Sequence, residues 1–369
     1  MPASVNGTEL RRILLSTDAV GGVWTYAQDL ARGLSARGTE VLLAVLGPAP
    51  SPAQRASLPP EVGIRCTGLP LDWTAETPAN LAHAAGELAA LARSAGVDLV
   101  HLHTPALASG AAYGPPVVAS AHSCVATWWR AVRPGDLPQD FAWRRDAVAA
   151  GLQSAALTIV PSEAFAGALR REYGGGWACR VVRNGRAMPA ADASSARNAV
   201  LTAGRLWDEG KGAALLDRVA ACGRFAIDAA GPTAGPNGVR ADLHHLNLLG
   251  TMGERALRQR MREAAIFASP ALYEPFGLSV LEAAQEGAAL VLSDIPTFRE
   301  LWDGAALFVP PAAADAWHEC LWALLRDPAL TETLGARAGE RSRRYSADAM
   351  IEGTLAGYRA ASRAAAMAV

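Results

Sequence analysis

The stretch Glu274-Pro-Phe-Gly-Leu-Ser-Val-Leu-Glu282 sets two carboxylates around an apolar centre that holds a single glycine. Residues 265–269 (AIFAS), just before it, form a short apolar run stopped by Pro270, the signature of a buried strand end. From Ser279 the pattern turns helical. Ser279-x-x-Glu282 has the spacing of a capping box, which predicts Ser279 as the N-cap. Read this way, Glu274 lies on a loop leaving a strand and Glu282 lies in the first helical turn. The free amides of Phe276, Gly277, Leu278 and Ser279 then face one small volume at the positive end of a helix dipole, a place suited to a phosphate.

Working outward, strand-like and helix-like segments alternate. In the first half, strands are predicted over 13–16, 41–46, 98–102, 117–120, 156–160 and 180–182, with helices from Val23 to Gly38, over 79–95 and over 162–173. A second series places strands at 199–203, 225–229, 246–249, 266–269, 289–293 and 306–309, with helices from Ala213, over 253–264 and from Ser279. This alternation predicts an α/β fold with parallel sheets wrapped by helices. Between the series the pattern lapses into Ala, Ser, Pro and Asp, the composition of a linker. The domain reading is 1–184, a linker over 185–198, 199–345, and a helical tail over 346–369. A chain of 369 residues is too long for one typical core, which agrees with two domains.

Composition narrows the class. Apolar residues make up 51% and aromatics 6%, which fits an α/β enzyme and excludes a disordered or fibrous chain. A net charge of −1 supplies no electrostatic footprint for a nucleic-acid partner. The five cysteines are scattered without a Cys-x-x-Cys pair, so reduced thiols and a cytoplasmic location are expected. No basic-then-apolar leader opens the sequence, and no apolar run approaches the ~20 residues of a membrane span. Peripheral membrane contact stays open, without support in the sequence.

Gly204-Arg205 follows a predicted strand, and Lys211-Gly212 comes just before the next helix. That is where α/β domains place ligands, at the carboxyl ends of strands. Arginine offers a bidentate fork and lysine a point charge, so the pair suits a diphosphate; the plain alternative is two solvated loop charges. Gly21-Gly22 sits between the first strand and its helix, where a turn or a close backbone approach to a ligand explains it equally well. A Gly-x-Gly-x-x-Gly fingerprint is absent there, which speaks against a dinucleotide. Trp24 and Tyr26 follow at once, rings able to stack on a sugar, with one of the pair expected in the core. His122 closely follows the strand that ends at Ser120, a position where a lone histidine is more often a structural hydrogen-bonder than a catalyst. His101 and His103 share a strand face but lack a third metal ligand at convincing spacing, so they read as cleft-edge or core residues, and His244-His245 has no identifiable partner. Asp-x-Asp occurs nowhere in the chain.

The phrase EPFGLSVLEA, set between a strand and EGAALVLSDIPTFREL, resembles the E-x7-E motif of the family-4 retaining glycosyltransferases of the GT-B fold. Gly204-Arg205 and Lys211-Gly212 match that family at the same spacing, as does the Gly21-Gly22 loop. The resemblance is strong over 199–310, moderate over 10–46 and 98–185, and absent over 47–78. It implies two Rossmann-like domains facing a cleft, with the C-terminal helix crossing back to the first. It also implies a hexose transferred from a nucleotide diphosphate sugar to a hydroxyl acceptor, without metal or other cofactor. Arg205, Lys211 and the helix amides would neutralise the departing phosphate, Gly21, Gly22, Gly204 and the 276–279 backbone would bind the donor, Glu274 would orient sugar hydroxyls and Glu282 the ribose. His122 would hydrogen-bond a sugar hydroxyl. Retention through a carboxylate nucleophile, as in two-carboxylate glycosidases, stays open beside front-face attack, which the resemblance favours. Two other readings remain: an epimerase or phosphorylase of the same fold, and a catalytically idle nucleotide-sugar binder. Arg183-Asn184-Gly185 begins like the family's linker but lacks the acid that usually follows. The acceptor stays open, because Trp128-Trp129-Arg130 and Arg133 fit a lid, a glycan platform, a lipid-headgroup patch or a packed loop alike.

Overall fold

The computed structural model describes residues 10–188, 197–236 and 238–367. Most of the expected linker, 189–196, thus lies outside the described residues. Internal contacts group the chain into two units. One comprises the residues as far as Arg130, Gly135–Arg183 and those from Ala347 on; the other comprises Ala131–Pro134 and Asn184–Ser346.

The first unit is built on strands β1 (Arg12–Asp18), β2 (Glu40–Leu46), β3 (Gly63–Cys66), β4 (Leu99–Leu102), β5 (Val117–Ser120), β6 (Leu157–Val160) and β7 (Cys179–Val181). All pair in parallel, in the order β3-β2-β1-β4-β5-β6-β7. Ile13, Leu14 and Leu15 of β1 are fully buried, as required of a central strand covered on both faces. The connecting helices are α1 (Gly22–Ser35), α2 (Pro52–Ala56), α3 (Pro78–Ala95), α4 (Val125–Val132), α5 (Gln139–Ser154) and α6 (Glu163–Tyr173), with α4 mostly in this unit. Helix α3 starts with a Thr77–Asn80 capping box and Pro78 at its first position, and stops at Gly96 in a left-handed conformation. The sequence reading omitted β3, which is largely exposed, and α5, whose buried residues are confined to Val148, Gly151 and Leu152 near one end. Neither shows the periodicity that reveals an element.

The second unit repeats the plan with β8 (Ala199–Ala203), β9 (Ile227–Ala230), β10 (Asn247–Gly250), β11 (Ala264–Ser269), β12 (Ala289–Ser293) and β13 (Leu307–Val309). Its parallel order is β10-β9-β8-β11-β12-β13. Helices α7 (Ala213–Ala220), α8 (Glu254–Glu263), α9 (Leu278–Gln285), α10 (Pro296–Trp302), α11 (Ala314–Arg326) and α12 (Pro328–Ser342) flank the sheet. Trp302, Trp317, Phe267 and Phe298 are fully buried around it.

The final helix, α13 (Ala347–Met367), belongs to the first unit and packs on α1. Ile351 lies so close to Gly33 that a Cβ at residue 33 would overlap it. Arg37 at the end of α1 pairs with Asp348 and Glu352, each at 3.0 Å. The expected α/β class with parallel sheets is thus observed. In each sheet the winding reverses once, between β1 and β4 and between β8 and β11. Such a switch point opens a crevice at the carboxyl ends of the strands, where open α/β sheets bind ligands. Among the described residues no helix is long and apolar enough to cross a membrane.

Candidate active site

At the switch point of the second unit, β8 runs into Gly204 and Arg205, and β11 runs into Pro270 and the loop to Glu274. The two loops are joined backbone to backbone, because the amides of Leu272 and Tyr273 both donate to the Gly210 carbonyl, at 2.9 and 3.2 Å. Gly212 makes this approach possible. Its φ is 71°, and a Cβ there would overlap the carbonyl of Pro270. The junction carries Lys211 to Glu274, with Nζ 2.5 Å from Oε2. Both side chains are largely buried, at 24% and 11% exposed, so this ion pair is more than a surface contact.

Arg205 is locked from the same turn. Its Nη2 lies 2.9 Å from Asp208 Oδ2, while Asp208 Oδ1 accepts from the Gly210 amide at 3.0 Å. The guanidinium carbon sits 5.7 Å from the Trp207 ring centroid, within cation–π range, and Nε is buried without a hydrogen-bond partner. Asp208 was not singled out in the sequence, although its position three residues after Arg205 is a legible signal.

Glu274 in turn packs beside Gly277, where a Cβ would lie 3.4 Å from Glu274 Cγ. Here the sequence reading needs correction. Gly277, with φ 92°, is the N-cap of α9, and no side chain caps the helix. Ser279 is the second helical residue, so the capping box with Glu282 does not form. Glycine reaches this left-handed conformation at little cost, which starts the helix two residues earlier than a serine cap would. The first amides of α9, from Leu278 and Ser279 on, therefore open beside Glu274. Phe276 contributes backbone only, since its ring is buried edge-on to Tyr345 at 5.7 Å. Glu282 Oε1 lies 2.8 Å from Arg186 Nε. Gly204, Lys211, Glu274 and Gly277 thus form one continuous cluster, with Arg205 on the same turn.

In the first unit Gly21, at φ 70°, caps α1 beside exposed Gly22, just past β1. Trp24 and Tyr26 are both buried, so neither ring stands free for stacking. Tyr26 meets His122 edge-on at 4.6 Å between centroids, and His103 at 5.4 Å. His101 is core: its ring nitrogens reach the Tyr358 hydroxyl and Ser120 Oγ, each at 2.7 Å. His103 Nδ1 must carry its proton, because it bonds the carbonyl of Ser16. Nε2 of His103 and Nε2 of His122 are buried without partners. Burial lowers the pKa of all three imidazoles, His103 to about 4 and His122 to about 3, helped at His122 by the charge of His103. They are neutral hydrogen-bonding groups at physiological pH. Among the described residues no group of three His, Cys, Asp or Glu is arranged to hold a metal ion. His244 and His245 lie outside both clusters, their amides donating to the Asp217 carboxylate at 2.9 and 2.8 Å.

Known proteins resemble this chain in both of its units. The family model described as Glycosyltransferase Family 4 matches residues 20–186, and that described as Glycosyl transferases group 1 matches residues 197–327. The chain is similar to phosphatidyl-myo-inositol mannosyltransferase of Mycolicibacterium smegmatis, 38% identical over 104 residues, 27% of each chain. It is also similar to D-inositol 3-phosphate glycosyltransferase of Kineococcus radiotolerans, 35% identical over 115 residues, 28% of this chain and 26% of the relative. The chain thus spans about a quarter of the length of these curated relatives. Among solved structures, sucrose-phosphate synthase from Thermosynechococcus elongatus superposes with a TM-score of 0.80 at 20% identity, over 95% of this chain and 98% of that one. Anabaena HepE in complex with UDP and glucose gives 0.71 at 18% identity, over 95% and 99%. At these identities the structural likeness speaks for the fold alone, while the two family matches take in most of both units. The chain belongs to the family-4 glycosyltransferases and has their GT-B fold.

Proposed function

We propose that the protein is a retaining, metal-independent glycosyltransferase that moves a hexose from a nucleotide diphosphate sugar to a hydroxyl acceptor. The observation that carries this is the Lys211–Glu274 pair, set beside Arg205 and the opening of α9. As the bond between the anomeric carbon and the phosphate breaks, charge collects on the departing diphosphate. Fixed cations and helix amides aimed there lower the barrier. Lys211, Arg205 and the amides of Leu278 and Ser279 fill that role in our reading, which is why no metal is required by it. Glu274 grips sugar hydroxyls and is held in place by its ion pair with Lys211. The acceptor oxygen bonds the same face of the anomeric carbon that the phosphate leaves, and its proton passes to a phosphate oxygen. His122, neutral and with an unpartnered Nε2, suits a hydrogen bond to a sugar hydroxyl better than a general base.

HepE is named in complexes with UDP, glucose and UDP-glucose, and the curated relatives are named for inositol-bearing acceptors. UDP-sugars and inositol phosphates are therefore the substrates to try first. The test is a thermal-shift panel of UDP-, GDP- and ADP-sugars in EDTA, followed by NMR of the product formed with the best donor. Transfer with the donor's anomeric configuration kept, at a rate unchanged by added magnesium, is expected. An inverted product, or strict dependence on a divalent ion, overturns the corresponding part. Donor turnover without any acceptor identifies an epimerase instead.

A further inference from the structure

Glu282 stands on α9 one helical turn before Glu286, and arginines meet both carboxylates. Glu286 is saturated: Arg258 lies 3.2 Å and Arg262 3.0 Å away, and its side chain is 3% exposed. Arg197 also donates to the Glu286 carbonyl at 2.6 Å. That cluster reads as internal support.

The Glu282 partner is different in kind. Arg186 comes from the segment that enters the second unit, directly after Asn184-Gly185. Its side chain is 4% exposed, and its Nε lies 2.8 Å from Glu282 Oε1. Its Nη2 pairs with Glu254 at the start of α8. The backbone is clamped as well, because the Arg186 amide donates to the Tyr345 carbonyl at 3.1 Å and its own carbonyl accepts from Gln285 Nε2 at 3.3 Å. Residue 186 also bridges to Ser346, the last residue before the chain leaves the unit. A guanidinium fixed at so many points is the rigid member of the pair, and the Glu282 carboxylate is the member it positions. A buried carboxylate without such a cation tends to take up a proton or turn away.

We infer that Arg186 is a positioning residue for the donor nucleotide, fixing the Glu282 carboxylate where it can accept from the ribose hydroxyls. This rests on the proposed function above, in which Glu282 contacts the ribose. Arg186 makes the recognition of ribose over deoxyribose a property of the segment that leads into the unit, not of α9 alone.

The test measures ribose discrimination by calorimetric titration of UDP, GDP and ADP, each against its 2′,3′-dideoxy counterpart, in wild type, Arg186→Gln and Lys211→Ala. Hydrogen bonds to a charged group lead us to expect that wild type prefers the ribose form by at least about tenfold. Arg186→Gln should retain less than about threefold of that preference, while Lys211→Ala binds both forms more weakly and keeps the full ratio. Equal discrimination in wild type and Arg186→Gln overturns the inference. Absence of discrimination in wild type overturns it too, while weakened binding by Lys211→Ala would leave the donor-phosphate reading standing. If no nucleotide binds wild type, both readings fall. Because Arg186 is buried, Arg186→Lys is measured alongside. It keeps the charge but not the fork, so discrimination lowered at least about threefold supports the inference and an unchanged ratio contradicts it.

Discussion

Gly212→Ala strikes the joint on which the candidate site depends. The mutant alanine would have to hold a left-handed backbone, φ 71°, costing about 1–2 kcal/mol. Its Cβ would also overlap the Pro270 carbonyl, so the 208–212 turn must move away from the 270–274 loop. That movement endangers the two bonds accepted by Gly210 O, each contributing about 1 kcal/mol net. The sum is roughly 2–4 kcal/mol, a melting-temperature loss on the order of 5–15 °C for a body of this size. Function should suffer beyond stability, because the same movement carries Lys211 away from Glu274. Far below the new melting temperature, donor affinity should still be down at least about tenfold. Differential scanning fluorimetry and calorimetric titration with UDP, GDP and ADP supply the two readouts. Wild-type melting and wild-type affinity together would show that the junction neither stores this energy nor sets the site.

Other perturbations separate the remaining roles. Glu274→Gln keeps the shape but not the charge, so turnover should fall by about 10²-fold or more while the melting temperature changes little; a purely thermal effect would make the residue structural. His122→Ala should lower sugar transfer more than nucleotide binding, and an equal loss in both contradicts its assignment to the sugar. Acid should expose the buried imidazoles. Their folded pKa values lie below the unfolded value of about 6.5, so the unfolded chain takes up protons first as pH falls. Stability from this source is complete above about pH 6.5 and declines toward pH 4, by up to about 1.4 kcal/mol per pH unit per imidazole. The slope of melting temperature against pH should flatten in His122→Asn, and an unchanged slope would remove His122 from the account.

Much of the architecture could be read directly. The boundaries of β5, β8 and β12 coincide with their apolar runs, since central parallel strands bury both faces and are hydrophobic from end to end. Gly204, Lys211, Glu274 and Gly277 could be grouped because each lies between the end of a strand and the start of the next helix, and the topology brings those strand ends to one switch point. What escaped notice depended on distance or on backbone. A serine three residues before a glutamate looks like a cap whether or not a left-handed glycine has already begun the helix. Arg186 is 68 residues from Glu254, and no local pattern announces that its side chain turns inward. Its one trace was the missing acid after Asn184-Gly185. His101 and His103 do lie in the core, as one of the two readings of their strand face had it, but no local pattern foretold that His103 keeps company with two imidazoles and a tyrosine ring.

The claim that the second unit grips a diphosphate with its own cations is tested most directly by affinity across a phosphate series. UDP, GDP and ADP are titrated against their nucleosides in EDTA, with wild type and Lys211→Ala. One base series should bind wild type as the diphosphate at least about 100-fold more tightly than as the nucleoside, and Lys211→Ala should lose most of that difference. Equal binding of diphosphate and nucleoside, or a diphosphate preference untouched by Lys211→Ala, would contradict it.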